Sequence, residues 1–173
     1  MMPGEANDRL NLAFIEIGKQ ISAARPDVII AIAPDHWVNF YLDNFPTITL
    51  GVGDELDGPP EPLMASFPHK SFAGDPAFGR FILETALSRN FEPSISYRLK
   101  LDHGICVPLW LLDFPRMPGI VPVLLNTVEP PFMSCRRCLQ WGALLADAVR
   151  AYPEDLRVVI LATGGLSHSS GIL

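Results

Sequence analysis

Apolar positions along this chain follow two habits: helical spacing, and short unbroken runs rich in β-branched residues. From Asn7 to Ala24, Leu10, Phe14, Ile17, Ile21 and Ala24 recur at helical steps, which predicts an amphipathic helix. Asn7 or Asp8 can cap its start, and Pro26 stops it. Asp27 to Ala33 is almost wholly apolar, the pattern of a strand buried on both faces of a parallel sheet. Thr47 to Val52 predicts a second strand, between Pro46 and Gly53. Asp54 to Gly74 holds four prolines and little periodicity, and reads as a long surface loop of the kind that often carries function. Asp75-Pro76 opens a helix with an N-cap and a proline in its first turn, its apolar face being Phe78, Phe81, Ile82, Thr85 and Ala86. Ser94 to Leu99 is a strand candidate, and Gly104 to Leu112 a short apolar helix containing Pro108. Ile120 to Leu125 predicts another buried strand. Ser134 to Ala151 predicts a helix with Leu139, Leu144, Leu145, Ala148 and Val149 inward, and Leu156 to Ala162 a last strand.

Helices and strands that alternate in this way define an α/β layered domain with a mostly parallel central sheet flanked by helices. No repeat, linker or low-complexity segment divides the chain, so residues 1–173 are expected to form a single domain. The sequence opens just before a helix and stops soon after Gly164-Gly165-Leu166-Ser167-His168, so the domain is expected to be partial at both ends.

Composition narrows the functions available. The apolar fraction of 49% supplies a core, and the charged fraction of 18% argues against disorder. A net charge of −6 disfavours a nucleic-acid partner, which needs a basic face. No apolar run approaches the roughly 18 residues of a membrane-spanning helix. No secretory signal precedes Asp8. Three cysteines do not make a disulfide framework, and the reducing cytoplasm is the expected compartment.

The candidate chemistry is histidine chemistry. Three of the four histidines stand in short polar motifs, two of them directly after an apolar strand. They are His36 in Ala33-Pro34-Asp35-His36, His103 in Leu101-Asp102-His103-Gly104, and His168 in Gly164-Gly165-Leu166-Ser167-His168. Ligands of α/β sheets collect beyond the carboxyl ends of strands, and imidazole serves both metal ligation and proton transfer. Each motif also has a plainer reading. His36 can cap a strand end, Asp102-His103-Gly104 can be a turn before a helix, and the two glycines can be a flexible turn. Asp102 and His103 are adjacent, which does not by itself pair them. Cys135 and Cys138 have zinc-like spacing but no second pair, so they read as packing cysteines. His69 lies in the proline-rich loop and reads as solvated. Gly51-Val52-Gly53 lacks the rest of a dinucleotide fingerprint, and Ser167 lacks a nucleophile-elbow frame.

Taken together, four stretches resemble the class III extradiol ring-cleaving dioxygenases, in their catalytic, protocatechuate 4,5-dioxygenase beta-subunit-like polypeptide. This group also includes the 2,3-dihydroxyphenylpropionate enzymes. The stretches are Ala33-Pro34-Asp35-His36, Leu50-Gly51-Val52-Gly53, Leu101-Asp102-His103-Gly104 with Pro108-Leu109, and Gly164-Gly165-Leu166-Ser167-His168. Their order and spacing agree with the family from about Ala6 to Ser169. The resemblance implies a non-haem Fe(II) site of two histidines and a glutamate. His36 matches the second iron histidine, while His103 and His168 match two acid/base histidines that do not bind iron. It also implies a catecholic substrate and dioxygen, no membrane or nucleic-acid partner, and a homo-oligomer or a second small subunit. The family's first iron histidine has no counterpart upstream of His36, and its glutamate lies beyond the last motif. Iron occupancy and activity are therefore open, with a metal-free module binding a small molecule or a protein on the same fold as the alternative. A hydrolase using His103 as base is a weaker third reading, for want of a nucleophile frame.

Overall fold

The computed structural model describes residues 5–164. A five-stranded sheet forms the middle layer. Its strands are β1 (Val28–Ala33), β2 (Ile48–Gly51), β5 (Ser94–Ser96), β6 (Gly119–Leu125) and β7 (Val158–Ala162), in the order β5-β2-β6-β1-β7. β1 pairs in parallel with β6 and β7, and β2 in parallel with β5; only β2 and β6 run antiparallel. The remaining strands, β3 (Glu55–Gly58) and β4 (Lys70–Ala73), form a separate antiparallel hairpin. The helices are α1 (Glu5–Ala24), α2 (Pro76–Ser88), α3 (His103–Leu111) and α4 (Cys135–Ala151). The expected α/β layered fold with a mostly parallel sheet is the fold observed.

Period-two alternation sends successive side chains of the central strands to opposite layers. Val28 and Ile30 of β1, with Val121 and Val123 of β6, meet Phe78 and Ile82 of α2 and Trp141, Leu144 and Leu145 of α4. Ile29, Ala31 and Ala33, with Ile120 and Leu124, meet Ile105 and Leu109 of α3, Leu56 of β3 and Phe72 of β4. Both faces of β1 are therefore covered, which is why its sequence is an unbroken apolar run.

Pro122 in the middle of β6 is unusual, since proline cannot donate to a sheet ladder. The pairing of β6 with β2 ends at Val123 opposite Leu50. Beyond it Gly51 makes room for the proline ring, because a Cβ there would lie 2.5 Å from Pro122 Cγ.

Several expectations are corrected. The stretch from Asp54 to Gly74 is not a plain loop: it contains the β3–β4 hairpin and a 3₁₀ turn at Pro62–Met64. Strands of four residues leave too little periodicity to separate from proline-rich loop. The candidate strand from Ser94 to Leu99 shortens to three residues in β5. In α1, Leu10 and Ile17 do not face inward; they are 51% and 46% exposed. The buried position there is Gly18, where a Cβ would stand 2.0 Å from the Leu112 carbonyl oxygen, so α1 approaches the end of α3 through its smallest residue. In α4, Trp141 is buried and Leu139 is 76% exposed. Trp141, Leu144, Leu145 and Ala148 form the true stripe, and Leu139 is out of phase with it.

Cys135 and Cys138 are exposed at the start of α4, not packed as expected, whereas Cys106 is buried. Burial pushes the Cys106 thiol up to about 12, with the charges of Asp102, Glu61 and Asp57 acting in the same direction. Iodoacetamide at pH about 8 is therefore expected to label Cys135 and Cys138 in the folded chain and to spare Cys106 until the chain is unfolded. Peptide mass spectrometry reads this directly, and equal labelling of all three would contradict the packing of α3. No helix among the described residues is long and apolar enough to cross a membrane.

Candidate active site

β1 ends at Ala33, and the chain turns at once through Pro34, Asp35 and His36. Asp35 is buried, and its carboxylate organises the turn. It accepts from the backbone N–H groups of Val38, Asn39 and Phe40, each at 3.1 Å, and from the Asn39 side chain at 2.7 Å. These bonds hold Trp37 at φ +60, a left-handed conformation that a bulky residue adopts only when its surroundings impose it. The Asn39 amide then donates to the Lys100 carbonyl at 2.9 Å and accepts from the Lys100 N–H at 2.9 Å. The turn after β1 is thereby fastened to the segment that precedes α3.

That segment delivers Asp102 and His103. Asp102 is the N-cap of α3, its Oδ1 accepting from the Gly104 N–H at 2.8 Å. Its other oxygen, Oδ2, lies 2.8 Å from the backbone nitrogen of His36 and 2.9 Å from His36 Nδ1. Asp102 thus pairs with the histidine 66 residues away and not with its neighbour. The hydrogen bond from Asp102 raises the His36 pKa above its ordinary 6.5. Burial opposes this, and the charges of Asp102, Asp35 and Glu61 add to it.

His103 is held in the same manner by a different carboxylate. Glu61 Oε1 lies 2.9 Å from the His103 backbone nitrogen and 2.8 Å from its Nδ1. Glu61 follows β3, and the backbone of Asp57 in that strand bonds Leu101, so the hairpin carries Glu61 to the start of α3. The two imidazoles meet with ring centroids 4.2 Å apart. His36, Asp102 and His103 place their ligand atoms within 4.8 Å of one another, the grouping among the described residues able to hold a metal ion. Asp102 itself is a poor ligand, since both its oxygens already accept N–H groups.

Gly104 makes this convergence possible. A Cβ there would lie 2.9 Å from Asp102 Oδ1 and 3.1 Å from His36 Cε1. Gly104→Ala is therefore expected to displace the His36 ring, while a gain of roughly 0.5–1 kcal/mol in helix propensity offsets part of the crowding. The expected result is a stability change within about 1 kcal/mol, with a clear shift of the His36 ring resonances in the NMR spectrum. Unmoved resonances would show that the site tolerates the methyl group.

His36 and His103 converge as the motifs suggested. His168 lies outside the described residues. Of its two leading glycines, Gly164 adopts φ +121 beside Pro34. His69 is exposed and lies 3.3 Å from Asp57, away from this cluster. The sequence reading named Asp35 only as part of the His36 motif, without its role in the turn, and Glu61 escaped it. Glu61 acts across 42 residues from within the proline-rich segment, where nothing local singles it out. Cys135 and Cys138 are not part of the histidine cluster.

Two carboxylate-held histidines thus stand beyond the end of a central strand of an α/β sheet, the edge at which ligands of such sheets collect. Comparison with known proteins gives the family. Residues 3–170 match the model of the catalytic LigB subunit of aromatic ring-opening dioxygenase, and the chain belongs to this family. It is 33% identical over 154 residues to a 2,3-dihydroxyphenylpropionate/2,3-dihydroxicinnamic acid 1,2-dioxygenase of Paraburkholderia phymatum, covering 87% of this chain and 45% of the relative. Similar enzymes of Dechloromonas aromatica and Klebsiella pneumoniae are each 31% identical, over 92% and 93% of this chain and 49% of their own lengths. The chain thus spans about half the length of the curated relatives it matches.

Proposed function

We propose that this chain provides the histidine side of a site for extradiol cleavage of a catecholic aromatic acid by dioxygen. The observation that carries the proposal is the juxtaposition of His36 and His103, each fixed through Nδ1 by its own carboxylate, in a member of a ring-opening dioxygenase family. The relatives are named for 2,3-dihydroxyphenylpropionate and 2,3-dihydroxicinnamic acid, which makes a 3-substituted catechol the substrate class to test.

The donor chemistry fits Fe(II) at His36. With Nδ1 given to Asp102, the ligating atom is Nε2, and a carboxylate behind the ring is how metal-binding imidazoles are commonly oriented. His36 is the proposed iron ligand. Bound iron would supply coordination for the diol and activation of dioxygen. His103 is the proposed acid/base residue. Its Nδ1 is engaged by Glu61, so Nε2 is the atom that takes a proton from the diol and returns it as the ring opens. His168 is proposed as the second acid/base residue on the strength of its motif alone. A reducing cytoplasm is the proposed compartment. The homo-oligomer expected from the sequence is likewise proposed. The exposed apolar residues Leu12 on α1 and Ile160 on the edge strand β7 support it, and a stable monomer in light scattering would count against it.

The test is oxygen uptake by the iron-loaded protein with 2,3-dihydroxyphenylpropionate. The expected result is uptake dependent on added Fe(II), with a yellow ring-opened product. A folded, iron-exposed sample that consumes no oxygen would favour the second reading, a metal-free binding module on the same fold. One observation favours that reading: a stable metal site needs several convergent ligands, and among the described residues His36 is the one proposed iron ligand.

A further inference from the structure

A single oxygen of Glu61 grips His103 at two points, the backbone N–H at 2.9 Å and Nδ1 at 2.8 Å. The grip fixes the ring relative to its own backbone, as Asp102 Oδ2 does for His36. The other oxygen, Glu61 Oε2, is buried and meets no hydrogen-bond donor among the described residues. Asp35, by contrast, spreads its bonds over both oxygens, across Val38, Asn39 and Phe40. Glu61 directs both of its bonds to one residue. A two-point grip on one residue suits the orientation of a working imidazole.

We propose that Glu61 is the positioning residue of His103, fixing its ring and its Nδ1–H tautomer so that Nε2 is the proton-transfer atom. This rests on the acid/base reading of His103 given above. Glu61 does not touch the substrate; it acts through His103, much as a buried carboxylate orients the histidine of a hydrolytic triad. The β3–β4 hairpin then has a function, since it brings Glu61 to α3.

Two variants separate charge from orientation. Glu61→Gln keeps an acceptor oxygen for the two N–H groups, and Glu61→Ala removes it. In ¹⁵N spectra of the metal-free chain at alkaline pH, neutral His103 is expected as the Nδ1–H tautomer in the parent and in Glu61→Gln. In Glu61→Ala it is expected to revert towards the Nε2–H form preferred by free imidazole. In the iron-loaded protein, turnover of the catechol is expected to fall roughly 10–100-fold in Glu61→Ala, with KM little changed and partial recovery in Glu61→Gln. An unchanged tautomer in a folded Glu61→Ala variant overturns the proposal, and so does an altered tautomer with full turnover. If the parent shows no turnover, the acid/base reading fails. The tautomer measurement then still decides whether Glu61 sets the state of His103. If Glu61→Ala does not fold, an Nε2–H tautomer in the parent or in Glu61→Gln overturns the proposal by itself.

Discussion

Asp102→Ala is expected to lower the folding free energy by about 2–4 kcal/mol, combining a lost helix cap of roughly 0.5–2 with donors left unpaired at roughly 1–3. The carboxylate is 2% exposed and accepts from the Gly104 N–H, the His36 N–H and the His36 ring at once. Its loss uncaps α3 and releases the turn after β1 in a single step. Urea denaturation measures the effect, and a change below about 0.5 kcal/mol would show that Asp102 does not join these elements.

The same residue makes stability depend on pH in a defined direction. The Asp102 hydrogen bond raises the His36 pKa in the folded, metal-free chain above the ordinary 6.5. The stabilisation this provides is full below the unfolded value of 6.5 and is lost as pH rises through the raised folded value. Asp102→Asn keeps an acceptor for the cap and removes the charge. It is expected to flatten that decline and to bring His36 back towards its ordinary titration. Protons also compete with a metal for His36, so iron binding is expected to weaken at acid pH, less so in the asparagine variant if it retains the ring geometry.

How much of this was legible in the sequence depends on the range of the interaction. β1 and β6 were readable because burial on both faces leaves an unbroken apolar run. The start of α2 was readable because a cap is local: Asp75 accepts from Phe78, three residues on. His36 and His103 were recognisable from motifs at the ends of elements. Their supports were not. The bond from His36 to Asp102 spans 66 residues and that from His103 to Glu61 spans 42, and no periodicity connects them. Adjacency carried no information about the pairing, since Asp102 serves His36 while Glu61 serves His103. The stripe of α1 failed for another reason. Periodicity finds apolar residues, but α1 approaches α3 through Gly18, and a close backbone approach selects for size instead of hydropathy.

The proposed division of labour between the two histidines predicts opposite signatures for the same substitution. His103→Phe is expected to leave iron content unchanged and to reduce turnover roughly 10²–10⁴-fold, the usual worth of a positioned acid or base. The ring lies at the first turn of α3, about one-third exposed, so phenylalanine can occupy the space without unfolding the helix. It also abandons Glu61, and some loss of stability will accompany the loss of rate. His36→Phe is expected to act earlier, by lowering iron occupancy before any proton moves. Its carboxylate partner Asp102 would remain to cap α3, so the fold should persist. Metal analysis, oxygen uptake and circular dichroism on the two variants distinguish the roles. Equal iron loss in both would mean that His103 is also a ligand, and the assignment of ligand and acid/base would have to be redrawn. Retained iron in His36→Phe would remove the ligand from the proposal. The 4.2 Å approach of the rings makes this a demanding test, because the two imidazoles differ in partners rather than in place.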